Sequence, residues 1–163
     1  MRSLIVGFGN PLRGDDGVGL AALRELEAAS LPDGVRCADV GIGGMALVHE
    51  LQSGWDRLVI IDAVQRGGLP GTIYVLTPTF PKLAGLDAGA KRELLVDAHM
   101  AEPYSAMLLA DALGVLPPEI HVVGVEAPNT EELTLELSVA VQRAVPLAAR
   151  RALELATGAT VAA

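Results

Sequence analysis

Val6-Gly7-Phe8-Gly9-Asn10-Pro11-Leu12-Arg13-Gly14-Asp15-Asp16-Gly17-Val18-Gly19 joins an apolar run to two adjacent carboxylates. Leu4-Ile5-Val6 reads as a buried strand that breaks into glycines at its C-terminal end, and the carboxylates fall where a helix begins. In open α/β sheets, ligands lie in the crevice beyond the carboxyl ends of the strands. Carboxylates placed there are candidates for metal ligation or proton transfer. A purely structural reading is a glycine turn followed by an Asp cap of the next helix. It accounts for Asp15 but leaves Asp16 and Asn10 without a role.

The segment does not read as a nucleotide loop. A dinucleotide fingerprint needs a third glycine three residues after the second, and Leu12 stands there. A phosphate loop ends in Gly-Lys-Ser/Thr, which this chain lacks. Two acidic side chains at a helix N-terminus also occupy the positive dipole end that a phosphate requires.

Working outward, 163 residues suit one domain spanning 1–163. Half the chain is apolar but only 3% aromatic, so Leu, Val, Ile and Ala must pack the core. A net charge of −8 argues against nucleic-acid or anionic-membrane partners, which select basic surfaces. Cys37 is the single cysteine, which excludes a disulfide framework and a cysteine-based metal cluster. Its apolar surroundings predict a packed, inert thiol. Few apolar residues precede Gly7, too few for a signal peptide, and no apolar run approaches the ~20 residues that cross a bilayer. A cytoplasmic protein is expected.

Strands are predicted over Ser3–Phe8, Val35–Val40, Arg57–Ala63, Thr72–Leu76 and Glu119–Val125. Helices are predicted over Asp16–Ala28, Met45–Gln52, Ala90–Val96, Pro103–Leu113 and Ser138–Leu155. Leu58-Val59-Ile60-Ile61 is apolar on both faces, as a central parallel strand should be. The connection from Arg66 to Gly71 is too short for a parallel crossover, so the strand after it should run antiparallel. Leu133, Leu135 and Leu137 alternate with polar residues and suggest an extended stretch. Ser138 is placed to cap the last helix, and Pro146 should kink or split it. Alternating strands and helices with apolar central strands predict a three-layer α/β/α sandwich.

Asp62 closes the apolar run Ile60-Ile61, so it should face the same crevice as Asp16. Its alternative reading is a loop cap or the partner of a nearby arginine. His99, in Asp97-Ala98-His99-Met100, is by itself a surface or hydrogen-bonding histidine. In the company of Asp16 and Asp62 it would complete a three-ligand N/O site with open positions, suited to nickel or zinc. His49 and His121 are assigned structural roles.

The pattern Gly-x-Gly-Asn-x-Leu-x-x-Asp-Asp-Gly-x-Gly, with Asp62 and His99 following in order, resembles the hydrogenase maturation endopeptidases. These enzymes trim the C-terminal tail of the nickel-iron hydrogenase large subunit. The resemblance implies a phosphorylase/hydrolase-like sheet of order 2-1-3-5-4 with strand four antiparallel. It further implies that Asp16, Asp62 and His99 grip nickel carried by the precursor, for which zinc or another divalent ion can substitute. Asp16 stands where many members have Glu, and Asp97-Ala98 where many have Ser-Ser. Asn10, Asp39, Gly41 and Gly43 become candidates for substrate contact.

The expected function is removal of the C-terminal extension from a nickel-iron hydrogenase large-subunit precursor after nickel insertion. Asp16 and Asp62 are the catalytic candidates, acting through a metal-activated water or as a carboxylate base. Two alternatives stand beside it: a binding module that checks nickel loading without cleavage, and an aspartate endopeptidase of related fold with another substrate.

Overall fold

The computed structural model describes residues 1–79, 87, 89 and 103–158. The expected helix over 90–96 lies outside them, as do Asp97 and His99.

Five strands form one sheet: β1 (Ser3–Phe8), β2 (Val35–Gly41), β3 (Arg57–Val64), β4 (Ile73–Leu76) and β5 (Glu119–Glu126). Their order is β2-β1-β3-β5-β4. β1, β2, β3 and β5 run parallel, and β4 pairs antiparallel with β5, as the short connection before it requires. Four helices are described: α1 (Val18–Glu27), α2 (Gly44–Leu51), α3 (Pro103–Ala112) and α4 (Val139–Thr157). None of the described helices is long and apolar enough to cross a membrane.

Strand periodicity sorts the core into two halves, because successive side chains point to opposite faces. Ile5, Val59 and Ile61 pack on one face with Val18, Leu23 and Val145 from α1 and α4. Leu4, Val6, Phe8, Leu58 and Ile60 pack on the other with Leu47 and Leu51 of α2 and Met107 of α3. The three-layer sandwich follows.

The glycines of the opening motif set how closely α1 approaches the sheet. A Cβ on Gly7 would lie 2.6 Å from the Gly19 carbonyl oxygen. One on Gly19 would overlap the carbonyl oxygens of Phe8 and Ile61. The start of α1 therefore rests on backbone rather than on side chains.

Charges hold both ends of α4. Asp15 is fully buried, and its Oδ1 accepts the Ser138 N–H at 2.6 Å. At the other end Arg57 Nη1 donates to the carbonyls of Leu155 (2.8 Å) and Ala156 (3.0 Å). An anion at the N-terminus and a cation at the C-terminus both match the helix dipole. Arg57 Nη2 also meets Glu119 Oε2 at 2.7 Å. That bond, with a second from His121, holds the Glu119 carboxyl below its usual pKa.

Three expectations need correction. Asp15 does not cap the helix that follows it. Gly14–Gly17 forms a 3-10 turn instead, and the Asp15 carboxylate reaches 123 residues along the chain to α4. Ser138 occupies the N-cap of α4 but makes no capping bond through its hydroxyl, which is buried without a hydrogen-bond partner among the described residues. Asp15 supplies the anchoring bond there. Pro146 does not split α4, which runs unbroken from Val139 to Thr157. Pro146 and Gln142 are both exposed, so the carbonyl that loses its N–H partner faces water.

Cys37 sits half-buried on β2. Burial, with a smaller contribution from Glu27, pushes its thiol up to about 11. At pH 8 only about one thiol in a thousand is then ionised. Alkylation by iodoacetamide should run roughly two orders of magnitude slower than in urea-unfolded protein. Equal rates in the two states would show that the thiol is open and unperturbed.

Candidate active site

Asp16 and Asp62 line one cleft of about 470 Å³ at the C-terminal ends of β1 and β3. Each is half-buried. Asp16 gets there because Gly9 turns the chain sharply after β1. Gly9 has φ +126°, and a Cβ on it would overlap the Asp16 carbonyl oxygen. Asn10 then folds a tight turn, its Oδ1 accepting the Leu12 N–H at 2.9 Å. That turn aims the Asn10 N–H at Asp16 Oδ2, 2.8 Å away. An ionised carboxylate has two oxygens, so this bond orients Asp16 and leaves Oδ1 as a second acceptor.

Asp62 reaches the cleft from β3, two residues before the strand ends, where it pairs in register with Gly124 of β5. Phe8, Leu76, Tyr104, Met107 and Val122 supply the apolar part of the lining, and Gln65 and Thr130 its uncharged polar side. Two carboxylates against largely apolar walls make an acidic site suited to a cation, to accepting protons, or to both.

Asn10, Asp39, Gly41 and Gly43 are not among the residues that line this cleft. The Gly9 N–H donates to the Gly41 carbonyl at 3.0 Å, which joins the β2 turn to the cleft's edge. Asp39 Oδ1 accepts the Gly41 N–H at 2.9 Å, and Gly43 is the N-cap of α2. Among the described residues no cluster of three His, Cys, Asp or Glu side chains converges as a metal site. His121 is structural as expected, 3.0 Å from Glu119, and His49 is exposed at the end of α2.

Two carboxylates near the site have roles that sequence reading missed. Asp15 ties the motif to the loop after β5. Its N–H donates to the Asn129 carbonyl at 2.8 Å, while its Oδ2 accepts the Asn129 N–H at 3.3 Å. Glu126 is buried at the end of β5 and organises the loop after β3. Burial alone would raise its pKa, but the N–H of Arg66, the Tyr74 hydroxyl and the N–H groups of Gly67 and Gly68 outweigh it and hold the carboxyl below its usual range. The signal for Glu126 was the one that found Asp62: a lone carboxylate ending an apolar strand.

This architecture is shared with solved maturation endopeptidases. The hydrogenase maturating endopeptidase HybD from E. coli superposes with a TM-score of 0.75 at 25% identity, covering 97% of this chain and 93% of that one. The [NiFe] hydrogenase maturation protease HybD from Thermococcus kodakarensis gives 0.70 at 30% identity, covering 96% and 99%. In sequence, the hydrogenase expression/formation protein HoxM of Azotobacter vinelandii is 36% identical over 156 residues, spanning 93% of this chain and 70% of that protein. The fold and its acidic cleft thus define a peptidase of the maturation type. Residues 21–155 match the hydrogenase maturation protease model, and the chain belongs to that family. The glycine and aspartate motif lies ahead of the matched stretch.

Proposed function

We propose that this protein removes the C-terminal extension from the large-subunit precursor of a nickel-iron hydrogenase once nickel has been inserted. The observation that carries the reading is that Asp16 and Asp62, from different strand ends, line one cleft in a chain of the maturation protease family. Nickel arrives with the substrate, and Asp16, Asp62 and His99 grip it beside the scissile bond. The two aspartates supply anionic oxygen donors suited to a divalent ion. Either carboxylate can take the proton of an attacking water, and the substrate's metal can assist by lowering that water's pKa. Asn10, Asp39, Gly41 and Gly43 form the bordering surface over which the precursor lies.

The test is incubation with nickel-loaded and nickel-free precursor side by side, followed by mass spectrometry. The loaded precursor should lose its C-terminal peptide and the nickel-free form should stay intact. Equal trimming of both would remove nickel as the signal, and trimming of neither would remove the proposed substrate.

A further inference from the structure

We infer that Gln65 and Thr130 form a gripping pair for the backbone of the precursor's C-terminal tail, an inference that rests on the function proposed above. Gln65 follows Asp62 by three residues, Thr130 lies in the loop after β5, and both line the cleft. Gln65 Nε2 donates to Thr130 Oγ1 at 3.1 Å and, at a longer 3.4 Å, to the Ala127 carbonyl. With its amino group engaged on the protein side, the planar carboxamide keeps Oε1 as an acceptor. Thr130 Oγ1 accepts from Gln65, so its own O–H is still a donor.

One acceptor and one donor side by side match the N–H and C=O of an extended peptide. The aspartates cannot supply that combination, because an ionised carboxylate only accepts. The loops bearing the pair are themselves braced. The Ala127 N–H donates to the Val64 carbonyl at 3.0 Å, and Asp15 holds Asn129 beside Thr130. Backbone recognition of this kind holds the tail across the aspartates with little dependence on its side chains. Gln65 and Thr130 are substrate-binding rather than proton-transferring groups, so their loss should appear in KM.

Nickel-loaded precursor is offered to wild type, Gln65→Ala, Thr130→Val and the double variant, with trimming followed by mass spectrometry. Gln65→Ala should raise KM about five- to tenfold, the loss expected for one substrate hydrogen bond, with kcat within twofold. Thr130→Val should raise KM by a smaller factor. The double variant should fall short of the product of the two, because each single change also breaks their shared bond. A latch that only shapes the loops would instead lower the urea midpoint and leave KM unchanged, and that result overturns the inference. Equilibrium titration with the same precursor gives a second readout without turnover. If wild type binds precursor but trims none, the proposed function fails. Gln65 is then still decided by Kd, which must weaken by the same five- to tenfold.

Discussion

Gly19→Ala should unfold much of the molecule's stability, lowering it by at least about 3 kcal/mol in urea denaturation. The added methyl would overlap the carbonyl oxygens of Phe8 and Ile61 and press on the Phe8 N–H, 2.9 Å away. These are backbone atoms of two adjacent central strands, so no side chain can turn aside to relieve the clash. Gly54→Ala is the contrasting case, with φ +74° and no neighbouring atom within 4 Å. It should cost only the left-handed backbone penalty, about 1–2 kcal/mol. A midpoint shift for Gly19→Ala no larger than that of Gly54→Ala would show that α1 does not rest on the strands as described.

The second large effect is on activity. Asp16→Asn should fold normally and lose at least about 100-fold in trimming of nickel-loaded precursor. Asparagine keeps the size and an oxygen that can still accept the Asn10 N–H, but removes the anion. The fold should tolerate this because Asp15, not Asp16, carries the long-range bond to α4. Asp62→Asn should be equally inactive, and the double variant no worse than either alone if both serve one step. Asp16→Glu restores the charge on a longer arm and should recover part of the rate. A folded double variant that trims at the normal rate would falsify the assignment of both aspartates.

The sheet was legible because its signals are local. Leu58-Val59-Ile60-Ile61 could only be a central strand, and the connection before Ile73 could only turn back. Asp16 and Asp62 were legible for the same reason, as carboxylates ending or following apolar strands. The partner of Asp15 was not legible, since a bond to a residue 123 positions away leaves no local trace. Ser138 misled because residue type marks a cap without saying which side chain makes the bond. Pro146 does not split the helix because the carbonyl that its ring leaves without an N–H partner is exposed and finds water.

The bond between Asp15 and Ser138 also orders events during synthesis. Domains form as the chain emerges N-terminus first. β1 and Asp16 leave the ribosome early, whereas the helix that receives the neighbouring carboxylate emerges more than a hundred residues later. Until then Asp15 has no Ser138 to hold, and the Asn129 loop that bears Thr130 has not been made. The motif that carries Asp16 is therefore tied to the rest of the molecule late, and a nascent chain that has not yet reached Ser138 carries both aspartates without that tie.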